Sequence, residues 1–440
     1  MEAVMSATMT GLIGIAVMLL LFATRMPVAF VMGLVGFVGF SVLTSVQSGL
    51  NMLSRSMYEV FVSYDLTTIP LFVLMGQLAF NAGVSRRLFT TAYHFFGHVR
   101  GGMAMATVSA CTAFGAICGS SPATAATMAT VAIPEMKRFG YRDRLASGAV
   151  AAGGGLGMVM PPSVVLIVYG VLTEQSIGQL FVSGVLPAFM LTGLFLCAIA
   201  VTCFRHPEFG PPAEHFPWKV RLRSLTGLID TVLIFSVVLT GLFRGWFTPT
   251  EAASVGAFSV LVLGVARRQL GPKLIMKSLE ETLRTSCMVL FLVAGAVVFG
   301  KFLAVTRIPF TTATFIGGLD MPPIVVMGLI VGIYFVAGCF MDSLAMVMLT
   351  VPVFFPVVMN LGFDPIWFGI IIVMVTEMGV ITPPVGINVY VVYGVTTAMK
   401  QSISLESIFR GIYPFLVATM VGVALLCLFP QIVTYLPSKM

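Results

Sequence analysis

Two short stretches concentrate the residues best suited to ligand chemistry. They are Gly153-Gly154-Gly155-Leu156-Gly157-Met158-Val159-Met160-Pro161-Pro162-Ser163 and Glu377-Met378-Gly379-Val380-Ile381-Thr382-Pro383-Pro384-Val385-Gly386-Ile387-Asn388. Consecutive prolines remove two amide donors and push the preceding residue out of the α region, so a continuous helix is not expected through either stretch. The carbonyls released are hard oxygen ligands for a small cation, and a helix restarting after the break presents an N-terminus that favours an anion. The chemistry implied is ion and carboxylate binding. Thr382 adds a hydroxyl ligand, and Ser163 and Asn388 offer hydrogen bonds to a substrate. A plain helix kink is the competing reading.

Two turns face these breaks. One reads Gly115-Ala116-Ile117-Cys118-Gly119-Ser120-Ser121-Pro122, the other Gly338-Cys339-Phe340-Met341-Asp342-Ser343. Glycine permits close backbone approach, Ser120, Ser121 or Asp342 is a suitable N-cap, and Pro122 suits a first helical turn. Capping alone accounts for these side chains. Ser120 and Asp342 are nonetheless kept with Ser163 and Asn388 as candidate substrate contacts. Asp342 and Glu377 are ionisable groups in apolar segments, which marks them for function, although Glu377 could instead satisfy a local backbone donor. Asp65 reads as a cap or interface residue.

The elements that must position these residues are membrane helices. Of 440 residues 58% are hydrophobic and 9% charged, with mean hydropathy +1.04, whereas a soluble domain has roughly 25% charged residues. In lipid the backbone must be satisfied within helices or a closed barrel, and long non-alternating apolar runs select helices, so the fold class is all-α and polytopic. With about 20 residues per crossing, spans are expected near 9–24, 28–47, 66–83, 146–173, 178–203, 226–243, 248–266, 284–303, 366–398 and 412–436. Regions 100–136 and 322–360 are interrupted at mid-length and read as re-entrant hairpins. The N-terminal run lacks the basic start and A-x-A site of a secretory signal. The seven cysteines show no metal-ligand spacing. Net charge is +7, but no basic stripe with interleaved aromatics points to nucleic acid.

With the N-terminus outside, 19 of the 24 Lys and Arg fall in inside loops, leaving Arg55, Arg244, Lys301, Arg307 and Lys439 outside. That bias follows the positive-inside rule and puts both termini on the outer side. A shift of 222 residues aligns Ser121 with Ser343, Pro134 with Pro356, Gly140 with Gly362, Gly157 with Gly379, and Pro161-Pro162 with Pro383-Pro384. Five crossings lie between the hairpins, so the copies run in opposite directions, the inverted repeat of secondary transporters. The expected units are scaffold helices over 1–60, a first repeat over 61–205, a connecting segment over 206–280 and a second repeat over 281–440.

Over nearly its whole length the chain resembles the large membrane subunit (M) of tripartite ATP-independent periplasmic (TRAP) transporters. The carrying stretches are Arg25-Met26-Pro27-Val28-Ala29-Phe30, Ile69 to Gly76, Gly115 to Ala126, Ile133 to Tyr141 and Thr382 to Asn388. The resemblance implies an elevator-type symporter of the bacterial inner membrane driven by sodium, with organic acids as substrates. It implies two partners, a periplasmic solute-binding protein (P type) and a small four-helix membrane subunit (Q type), the latter not expected to be fused here. By motif, one sodium site would use Cys118, Ser121, Gly157, Met160 and Pro162, and the other Gly338, Gly379, Thr382 and Val385. Cys118 stands where a serine often precedes Gly-Ser. A stand-alone organic-anion exchanger and a channel are alternatives. An intramembrane enzyme is disfavoured, because there is no H-E-x-x-H and no nucleophile–base pair, and His94, His98, His206 and His215 flank loops.

Overall fold

A computed structural model of the chain describes residues 2–22, 24, 26–317, 321–401 and 403–440; Arg25, which opens one of the stretches above, lies outside them. The described residues are helical, with no strand. The first half runs α1 (Glu2–Phe22), α2 (Val28–Leu43), α3 (Val46–Val62), α4 (Thr68–Asn81), α5 (Val84–Phe96), α6 (Gly102–Cys118), α7 (Ser121–Arg138), α8 (Asp143–Val159), α9 (Val164–Thr173) and α10 (Ile177–Arg205). After the short α11 (Trp218–Ser224) come α12 (Thr226–Phe243), α13 (Pro249–Ala266), α14 (Pro272–Thr306), α15 (Ile308–Gly317), α16 (Pro323–Gly338), α17 (Ser343–Asn360), α18 (Pro365–Ile381), α19 (Ile387–Ala398), α20 (Leu405–Leu428) and α21 (Gln431–Thr434).

The 222-residue shift relates more than the hairpins and breaks. It carries α1 onto α12, α2 onto α13, α4 into α14, α5 onto α15 and α6 to α10 onto α16 to α20. The repeat therefore extends beyond 61–205 and 281–440 to nearly the whole chain, and α12 and α13, expected as connectors, are the second copies of α1 and α2. One difference stands out: α3 and α4 are separated by a 57° bend, whereas α14 runs unbroken for 35 residues. Among the described residues, seven helical stretches are long and apolar enough to cross a membrane, or eight with the bent pair taken as one span.

Besides α11 and α15, two longer helices, α3 and α5, fall where no element was expected. Both are strongly amphipathic, and a search for continuous apolar runs passes over such helices. Ser45 caps α3 by accepting from the Ser48 amide at 3.1 Å, and Glu59 on α3 bonds Lys301 of α14 at 2.9 Å. Gly83, at φ +68°, turns the chain into α5. Arg87 of α5 donates to Gln269 Oε1 at 2.7 Å, and Arg267 contacts Asp230 of α12 at 2.7 Å. Arg55 and Lys301, assigned to one side by the charge bias, both pair with Glu59, and Arg87 and Arg267, assigned to the other, both pair with Asp230.

The helices pack as two groups. In one, α2 lies against α14 and α13 against α4; in the other, the two hairpins, α9, α19, α10 and α20 surround α8 and α18. The span formed by α8 and α9 is almost wholly buried, which removes its interrupted backbone from lipid, as the cost of unpaired polar groups requires. In the first group, Gly36 sets the α2–α14 distance, since a Cβ there would lie 2.8 Å from Phe299 Cα. Gly36→Val should lower the thermal midpoint of the detergent-solubilised protein by several degrees, overpacking of a tight contact costing about 1–3 kcal/mol. Gly300→Ala, where an added Cβ meets nothing, should not lower it.

Candidate functional site

At the first break α8 ends at Val159. Pro161 and Pro162 cannot supply the amides that the carbonyls of Gly157 and Met158 would accept in a continuing helix. The Pro161–Pro162 bond is cis, and the chain restarts as α9 with Ser163 as its cap, Oγ accepting from the Leu166 amide at 3.4 Å. The tip of the α6–α7 hairpin lies against this break. Gly119, at φ +64°, accepts a bond from the Val164 amide at 3.4 Å through its carbonyl. A Cβ on Gly115 would sit 2.7 Å from Gly157 Cα, so the two backbones touch. Cys118, Ser121, Met160 and Pro162 are all buried here.

Oxygen atoms converge on Gly157. A Cβ on it would meet the Thr124 hydroxyl, and would lie 3.0 Å from the Ser120 carbonyl oxygen. Thr124 is fully buried and its hydroxyl has no hydrogen-bond partner among the described residues. Asn388, at the start of α19, reaches in from the other repeat. Its side-chain amide donates to Ser121 Oγ at 2.7 Å and to the Ala151 carbonyl at 3.0 Å, leaving Oδ1 buried and unpartnered; the orientation of the amide is assigned from this network. Ser120 sits at the N-cap position of α7 without making a side-chain cap bond, half-buried.

The second break repeats the plan with different exposure. Gly338 and Gly379 touch through their backbones, as Gly115 and Gly157 do. Pro383–Pro384 is also cis. The Gly379 carbonyl, deprived of the residue-383 amide, accepts from Thr382 N at 3.0 Å. Thr382 Oγ1 donates to the Met378 carbonyl at 2.5 Å, which leaves its oxygen lone pairs available. The Val385 amide donates to the Cys339 carbonyl at 3.2 Å, tying the break to the α16–α17 tip. Asp342 caps α17, accepting from the Leu344 amide at 3.1 Å. Pro383 and Pro384 are exposed, whereas Pro161 and Pro162 are buried.

Between the two breaks lies a feature not foreseen from the sequence. Gly155 and Glu377 are equivalent under the 222-residue shift, and they meet: a Cβ on Gly155 would fall within the Glu377 carboxyl. Glu377 is fully buried and neither carboxyl oxygen has a hydrogen-bond partner among the described residues. The glycine is what makes room for the acid where α8 crosses α18.

The structure thus brings Cys118, Ser121, Gly157, Met160, Pro162 and Asn388 together, and gathers Gly338, Gly379, Thr382, Val385 and Asp342 at the second break. Ser163 is turned into its own helix as a cap. Thr124 was missed by sequence reasoning; its signal is its position three residues beyond Ser121 on the same helix face.

Comparison with known proteins matches residues 15–432 to the family described as tripartite ATP-independent periplasmic transporter, DctM component. The chain belongs to that family. It is 36% identical to the C4-dicarboxylate TRAP transporter large permease protein DctM of Pseudomonas aeruginosa, covering 88% of this chain and 87% of that one. It is 32% identical to the sialic acid TRAP transporter large permease protein SiaM of Vibrio cholerae, covering 95% and 96%. Among solved structures the YdaH transporter of Alcanivorax borkumensis superposes with a TM-score of 0.65 at 16% identity, over 87% of this chain and 89% of that one, a likeness of fold. As a TRAP large permease the chain is a multi-pass transporter subunit of the bacterial inner membrane, not an enzyme. Secondary transport of organic acids with a binding protein and a small membrane subunit is the activity of this family.

The Gly155–Glu377 contact is testable by a double-mutant cycle. Gly155→Ala should strongly destabilise the solubilised TRAP permease, and Gly155→Ala/Glu377→Ala should recover much of the loss. The expected coupling is about 1–3 kcal/mol, as for residues in direct contact; additive effects would remove the contact from the account.

Proposed function

We propose that this permease takes up an organic-acid anion together with sodium, delivered by a periplasmic binding protein, with both its termini on the periplasmic side. The observation that carries the sodium reading is the oxygen cluster at the first break: the freed Gly157 carbonyl, the Ser120 carbonyl, and the buried oxygens of Thr124, Ser121 and Asn388. Sodium is a hard cation that favours such neutral oxygens, and Asn388 makes this site depend on both repeats. At the second break the candidate ligands are the carbonyls of Gly338, Gly379 and Val385 with Thr382 Oγ1. In the first set Cys118, Met160 and Pro162 would contribute backbone oxygen only, which makes the absence of a serine hydroxyl at 118 unimportant.

The carboxylate reading rests on α7. Its N-terminus carries the positive end of the helix dipole, and Ser120 there leaves its hydroxyl free. The equivalent end of α17 is already occupied by the Asp342 side chain, which accepts from the Leu344 amide. The relatives named for C4-dicarboxylates and sialic acid carry carboxylic acids, a chemistry that fits this end. We assign Ser163 to helix capping rather than to substrate. In an elevator cycle the group containing the hairpins would slide against α4, where Gly76 leaves room for the tip: a Cβ there would lie 3.1 Å from Cys118 Cα.

The test is uptake in proteoliposomes containing the permease, its small subunit and the binding protein. Uptake should require both an inward sodium gradient and the binding protein; independence from sodium would overturn the coupling, and independence from the binding protein the tripartite delivery. Ser121→Ala, Thr124→Ala and Thr382→Ala should each raise the sodium concentration giving half-maximal uptake by about fivefold, the scale of one net hydrogen bond of about 1 kcal/mol. Unchanged sodium curves in all three would reduce these hydroxyls to helix caps.

A further inference from the structure

Away from both breaks, the outer flank of the α10–α20 pair carries a groove of about 510 Å³. Leu194, Ala198 and Val201 of α10 form one wall, and Pro414, Val417 and Val421 of α20 the other. Val201, Val417 and Val421 are exposed, so the trough opens sideways, toward lipid. At one end it is closed by Arg144 from the first turn of α8 and by Arg205 at the end of α10.

The arginine at this end is held in place. Pro414 has no amide to give to the Arg410 carbonyl one turn back, and Arg144 Nε donates to that carbonyl instead, at 2.9 Å. The guanidinium also rests on the Phe209 ring, its Cζ 5.8 Å from the centroid. Nearby acids are already engaged: Glu406 pairs with Arg410 at 2.6 Å, and Glu208 faces His206 at 3.6 Å. Among the described residues no carboxylate pairs with Arg144 or Arg205. A fixed guanidinium and a second unpaired one therefore sit at the head of an apolar, side-opening trough.

We propose that this groove binds an anionic phospholipid, with the phosphate on Arg144 and Arg205 and an acyl chain along α10 and α20. Charge complementarity selects the occupant: the arginine end lies on the face that the positive-inside rule assigns to the cytoplasm, where inner-leaflet lipids are anionic and basic pockets between spans hold headgroups. A free anion would leave the apolar walls bare, and a neutral lipid would leave the two charges unmatched. Because α10 and α20 are equivalent under the repeat and flank both broken spans, such a lipid would travel with the substrate-bearing group.

The experiment is native mass spectrometry and thermal unfolding of the full-length protein in detergent, with its small subunit where the two purify together. Phosphatidylglycerol and phosphatidylcholine of matched chain length are added in turn, and inorganic phosphate separately. The expected result is several-fold more phosphatidylglycerol than phosphatidylcholine bound, with a matching stabilisation. That preference should fall to near parity in Arg205→Gln, which removes no side-chain hydrogen bond or ion pair among the described residues, and in Arg144→Gln/Arg205→Gln. Equal binding of both lipids, an unchanged preference in Arg205→Gln, or a stabilisation reproduced by phosphate alone would each overturn the proposal. So would an oligomeric mass that depends on Val417 and Val421, which would make the groove a contact between copies.

Discussion

The constraint on which the structure depends is that lipid offers no hydrogen-bond partners to the backbone. A helix broken at Pro161-Pro162 or Pro383-Pro384 leaves carbonyls that must be satisfied by protein, by an ion, or by a water-filled cavity. Each break is met by a hairpin tip to which it donates: Val164 N bonds the Gly119 carbonyl, and Val385 N bonds the Cys339 carbonyl, so the tips anchor the breaks without engaging the freed carbonyls. The tips in turn cannot be reached unless backbone touches backbone, which is why Gly115 opposes Gly157 and Gly338 opposes Gly379. Prolines break the helices, and glycines let the tips reach the breaks.

The same logic explains the glycine density of α8. Gly153 lies against Cys111, Gly154 against Ala125, Gly155 against Glu377 and Gly157 against Gly115 and Thr124. Contacts at these four glycines, on different sides, make α8 the axle around which the first hairpin, the second broken span and, through Gly148 and Gly411, α20 are arranged. A helix packed this closely cannot slide against its neighbours, because interiors at native density resist deformation. The elevator cycle proposed above accordingly assigns its motion to boundaries between helix groups, such as the one between α4 and the first hairpin.

The breaks, the tips and their pairing were legible in the sequence because Pro and Gly act locally and recur at the same spacing. The spans were legible because apolar runs are long; the ends of α12 and α13 fall within a residue of expectation. What was not legible needed either amphipathicity or tertiary contact. The helices α3 and α5 present polar faces, so no apolar run announces them, and the repeat of α1 and α2 in α12 and α13 is carried by element length rather than by punctuation. Thr124, the reach of Asn388 into the opposite repeat and the meeting of Gly155 with Glu377 are facts about distance between segments. No local pattern encodes them.

The two halves share a backbone plan and differ in side chains, and the difference has a physical direction. At the first tip two residues, Gly119 and Ser120, link the helices, the cap hydroxyl is free and the break is buried; at the second, four residues link them, the cap is a carboxylate and the prolines are exposed. A symmetric pair of sites would treat a cation and an anion alike on both sides. With Asp342 engaged at one helix N-terminus and Ser120 uncommitted at the other, an anionic ligand has one favoured end, while the carbonyls released at both breaks remain open to cations. Glu377 sharpens the distinction at the centre, because its equivalent is a glycine and two acids could not occupy that crossing together. The inverted repeat supplies the geometry for exchange between two faces, and in the proposed reading the unpaired substitutions within it decide which ligand each position holds.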